Sequence, residues 1–64
     1  MNYEVGETYT GYEKGEVFEF TVTEVVDSGV YIIELHDLNG ETGRSEEKEA
    51  LDRWVNAYSE YIGV

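Results

Sequence analysis

Residues 15–38, GEVFEFTVTEVVDSGVYIIELHDL, constrain the fold most, because two runs of β-branched and aromatic residues flank a short turn signal. The first run alternates: Phe18, Phe20 and Val22 share one face, and Glu19, Thr21 and Thr23 share the other. Asp27, Ser28 and Gly29 supply the turn, either as a two-residue hairpin loop or as a type I turn with a bulge. The two turns set different partners opposite one another, and a one-residue slip exchanges the faces of a strand. The favoured register groups Phe18, Phe20 and Val22 with Tyr31, Ile33 and Leu35, because it sends Glu34 and His36 outward with Thr21 and Thr23.

The rest of the chain is read around this hairpin. TYTGY predicts a short strand joined to it through the turn-like Glu13, Lys14 and Gly15. NGETGR, residues 39–44, carries two glycines and is expected to break the sheet pattern. SEEKEALDRWVNAYSEYIGV then places Leu51, Trp54, Val55, Tyr58, Tyr61 and Ile62 at steps of three and four, the spacing of one helix face. Ser45 is the expected N-cap, Glu46 and Glu47 suit the positive end of the helix dipole, and Gly63 suits a stop. The predicted fold is α+β: a small antiparallel sheet of about three strands, near 8–12, 16–26 and 30–38, with one C-terminal helix near 46–62 packed on a face. One domain, 1–64, is expected, close to the lower size limit for a single unstapled core.

Little in the sequence suggests catalysis. His36 is the only histidine. On a strand it shares a face with Glu34 but not with Asp37, and no nucleophile or oxyanion motif accompanies it. DLNGETGRSEEK, residues 37–48, starts like a calcium loop, yet Gly43 falls one place late and Lys48 stands where a bidentate glutamate is needed. The chain has no cysteine, so disulfides and thiolate metal sites are excluded. The glycines form no phosphate-binding series. No enzyme, metal or cofactor is expected.

Charge is the distinguishing property. Fifteen carboxylates face four lysines and arginines, a net charge of −11. Residues 1–34 hold eight acids and one lysine, and 35–64 hold seven acids and three bases, so this is not an acidic tail. The sign argues against direct binding of nucleic acid or anionic membrane and for a cationic partner. A domain of this length has a radius of gyration of roughly 11 Å and a diameter of roughly 28 Å, over which duplex DNA carries roughly 16 charges. Carboxylate density on the domain therefore approaches that of DNA.

In size, lack of cysteine, folded-domain patterning and the carboxylate rows EVFEFTVTE and SEEKEALDRW, the chain resembles the small acidic DNA-mimic proteins of bacteriophages. The resemblance implies a scaffold that presents carboxylates at phosphate-like spacing and competes with DNA for a basic host protein. An HU-type nucleoid-associated protein ranks first, since such proteins read phosphates and shape rather than base edges. The expected contact residues are Glu19, Glu24 and Glu34 on the sheet and Glu46, Glu47, Glu49, Asp52 and Glu60 on the helix. The lack of an apolar span and of a signal-like N-terminus places the protein in the cytoplasm, that of the host if it is phage-encoded. The alternative is a protein-interaction domain, able to form a homodimer, whose acids serve only solubility or salt adaptation. The six tyrosines read first as core and sheet residues; under this alternative Tyr3, Tyr9 or Tyr12, which the periodicity does not bury, would be an exposed anchor.

Overall fold

In a computed structural model, which describes residues 2–63, the chain forms four strands and a helix. They are β1 (Thr8–Glu13), β2 (Glu16–Asp27), β3 (Val30–Asp37), β4 (Gly40–Glu47) and α1 (Lys48–Tyr61). The strands form an antiparallel meander in the order β1-β2-β3-β4. The architecture is thus α+β, with four strands in place of about three.

The central hairpin takes the expected register. Phe20 stands opposite Leu35 and Val22 opposite Ile33, while Glu19 faces His36 and Thr21 faces Glu34. Phe18, Phe20, Val22, Tyr31, Ile33 and Leu35 are all buried. Thr23 is displaced by a bulge between Val22 and Glu24, and its hydroxyl donates to the Ile32 carbonyl at 3.2 Å. The β1–β2 turn needs positive φ at both central residues, which Lys14 (53°) and Gly15 (80°) adopt, the geometry that suits the right-handed twist of a hairpin.

β4 overturns the expectation that residues 39–44 interrupt the sheet. Gly40 to Glu47 pair with β3 along their whole length. A strand with no apolar residue can form here because β3 supplies the hydrogen-bonding template, and because its inward residue Arg44 lays its guanidinium 5.7 Å from the Trp54 ring. Its charges also discourage edge-to-edge pairing with another sheet.

The helix consequently starts at Lys48. Ser45 is a strand residue and not the N-cap, and Glu46 and Glu47 belong to β4 rather than to the helix. Glu47 is the N-cap and makes no side-chain capping bond, but the Lys48 N–H donates to the Gly29 carbonyl at 2.8 Å, tying the helix start to the β2–β3 turn. Gly63, with φ of 81°, ends the helix in the left-handed conformation as expected.

α1 packs chiefly along β1, with a smaller contact to β4, so it spans the two sheet edges and closes the core from one side. Leu51 and Trp54 enter the core, whereas Tyr61 and Ile62, placed on the same stripe by spacing, are exposed. Gly11 permits the approach: a Cβ there would stand 2.9 Å from Phe18 Cζ and from Trp54 Cβ. Trp54 meets Phe18 and Phe20 edge-on, at centroid separations of 5.1 and 5.7 Å.

The N-terminal segment decides between the two readings of its tyrosines. Tyr3 is buried in the core, and its ring packs edge-on against Tyr9 and Tyr31. Tyr9 is half-buried and stacks on Phe20, and Tyr12 is half-buried against the Tyr61 ring at 4.3 Å. None of these tyrosines is a free anchor. Periodicity missed Tyr3 because it precedes any regular element and reaches the core by a hydrogen bond to the helix.

Candidate acidic interface

Register determines where the carboxylates point. Directly paired residues in an antiparallel sheet lie on one face, so Thr10, Glu19, His36 and Glu41 form a row across all four strands. Thr8, Thr21, Glu34 and Gly43 form the next row, and Glu24, Ile32 and Ser45 the one beyond. Val30 stands between Asp27 and Glu47 at the far end. This is the face opposite the buried residues, and α1 does not cover it. It carries Glu19, Glu24 and Glu34, as expected, and also Glu47, which comes from β4.

Glu41 belongs to the same face, although the sequence reading did not select it. The only signal available was that of a strand in residues 40–47, and that segment has no hydrophobic alternation to reveal one.

Two of the expected contact residues are already occupied. Glu46 points to the helix side of β4, where Arg44 Nη2 donates to it at 2.6 Å and only 16% of its side chain is exposed. Asp52 accepts from the Tyr3 hydroxyl at 2.6 Å and from Lys48 Nζ at 2.9 Å. The Tyr3 hydrogen bond, then the Lys48 one, hold the Asp52 carboxyl below its ordinary value of 3.8. Burial, reinforced by the same hydrogen bond, pushes the Tyr3 hydroxyl well above its ordinary value. Both groups act in holding the N-terminal segment to the helix. Glu49 and Glu60 are exposed on α1, away from the sheet rows.

These shifts set a pH window for stability. Asp52 has a lowered folded value, so its contribution is complete above pH 3.8 and is lost as pH falls from there through the folded value. Tyr3 has a raised folded value, so its contribution is complete below pH 10.0 and is lost as pH climbs above it. Tyr3→Phe is expected to lower stability at neutral pH and to flatten both declines. Urea midpoints measured across the two limits test this, and an unchanged pH dependence in the variant would refute it.

His36 is the remaining chemical feature of the sheet face. Its Nε2 lies 3.4 Å from Glu34 and its Nδ1 3.3 Å from Glu41. Ligand atoms of the three residues fall within 4.8 Å of one another. Each ring nitrogen faces a different carboxylate, however, and a single metal ion takes only one nitrogen of an imidazole. The three groups therefore do not converge on one point as the ligands of a metal centre would.

No protein-family model, curated protein or solved structure matches this chain. No helix among the described residues is long and apolar enough to cross a membrane.

Proposed function

We propose that this protein is a DNA mimic, a bacteriophage product that occupies the DNA-binding surface of a basic host protein in the bacterial cytoplasm and competes with DNA there. An HU-type nucleoid-associated protein is the first-ranked target. The observation that carries this reading is the uncovered sheet face, on which Glu19, Glu24, Glu34, Glu41 and Glu47 stand in cross-strand rows. Neighbouring strands are about 4.8 Å apart and alternate residues about 6.7 Å apart. Such a grid can meet the lysines and arginines that ordinarily hold phosphates.

Magnitude supports the comparison. The molecule measures 31 × 26 × 17 Å. A duplex as long as its longest dimension carries about 18 negative charges, against fifteen carboxylates here. Repulsion on this scale works against a small fold, so a use for the charge is the more economical account.

The test is displacement. A fluorescent duplex bound to an HU-type protein should be released on titration with this protein, near one binding equivalent at low salt and progressively less as salt rises. Retention of the duplex at low salt would overturn that target, and failure against a panel of basic DNA-binding proteins would overturn mimicry.

A second reading has one observation in its favour. Val17, Leu38, Tyr61 and Ile62 are exposed apolar residues, which would suit an interaction domain that self-associates. Sedimentation showing a dimer that persists at high salt, with no displacement of DNA, would favour it.

A further inference from the structure

The β1–β2 and β3–β4 turns lie at the same end of the meander, and between them Phe18, Leu35 and Trp54 line an open depression of about 140 Å³. Sites for whole small molecules are typically about 300 to 1,000 Å³. This one has room for a single side chain.

Its rim is acidic. Glu13, Glu16 and Asp37 border it, together with Lys14 and Arg44. Arg44 is already engaged by Glu46 and by the Trp54 ring. Glu13 and Glu16 are directly opposed across β1 and β2, a like-charge pair that costs stability, and neither makes an ion pair among the described residues. At the wall, Trp54 is only 3% exposed, yet its Nε1 is buried without an acceptor among the described residues.

We propose that this depression seats one basic residue of the protein partner. The aliphatic stem of an arginine or lysine lies over Phe18, Leu35 and Trp54, and its charged head sits among Glu13, Glu16 and Asp37. This rests on the reading that the partner is a basic protein, and it adds an anchoring point separate from the sheet face. Charge complementarity with the rim selects the occupant.

Trp54 is the only tryptophan, which gives the site its own reporter. An oligoarginine peptide is titrated into the intact protein while the Trp54 indole N–H resonance, its fluorescence and the backbone amides of the sheet face are followed. The indole resonance is expected to move with the same saturation as the amides. In an E13Q/E16Q variant, whose fold is favoured by removal of the like-charge pair, affinity should fall roughly fivefold and the indole shift should shrink. Peptide binding that moves the sheet-face amides, leaves the indole unmoved and is equal in the variant would overturn this seat alone. Absence of peptide binding at low salt would overturn both the seat and the basic-partner reading.

Discussion

Phe20→Ala is expected to leave the domain largely unfolded at room temperature. Phe20 has no exposed surface and stands at the centre of the aromatic cluster, within 6.1 Å of Tyr3, 5.6 Å of Tyr9 and 5.7 Å of Trp54, centroid to centroid. Truncating a buried phenylalanine costs about 3–5 kcal/mol, because contacts are lost and the cavity collapses only in part. A domain of this length has a total stability of roughly 3–10 kcal/mol, and self-repulsion among its carboxylates biases it toward the lower end. Loss of the near-ultraviolet dichroism and of a cooperative urea transition would report the effect. A variant that kept the wild-type urea midpoint would mean that the aromatic cluster does not hold the sheet to the helix.

Charge reversal on the sheet face should separate binding from folding. Under the mimicry reading, Glu19→Lys, Glu24→Lys and Glu34→Lys together replace three attractions with three repulsions. At about 1 to 2 kcal/mol for each position, affinity for the basic partner should fall by a hundredfold or more. The fold should survive, since none of the three side chains enters the core. Glu46→Gln is the matched control: its carboxylate is already held by Arg44, so binding should be nearly unchanged. The comparison is read as displacement of labelled duplex at one salt concentration, with far-ultraviolet dichroism confirming the fold. Equal affinity of the triple variant and the parent protein would sink the assignment of this face.

Position on the fold therefore divides the acids that composition treats alike. Glu19 and Glu34 were legible as outward residues because Phe18, Phe20 and Val22 alternate with polar neighbours and the opposite strand repeats the pattern, whereas alternation alone would turn Glu24 inward and only the bulge between Val22 and Glu24 brings it to the outer face. Glu46 and Asp52 were not separable from them. Their occupation by Arg44, Tyr3 and Lys48 arises from partners on other elements, the most distant being Tyr3, forty-nine positions from Asp52. The exposed Tyr61 and Ile62 show the same limit, since helical spacing marks a stripe but not how far along the helix the sheet extends.

By itself, the sequence carried the central hairpin and the face grouping of its favoured register, a C-terminal helix whose apolar stripe includes Leu51 and Trp54, and the excess of negative charge. Each follows from local periodicity, turn chemistry or a count. Only the tertiary structure decided that residues 40–47 form a strand, that Tyr3 belongs to the core, and that Glu41 and Glu47 join the acidic sheet face. A polar edge strand has no hydrophobic pattern of its own; its hydrogen-bonding partner is β3, and its inward Arg44 finds a ring to cover only once the helix has docked against Gly11.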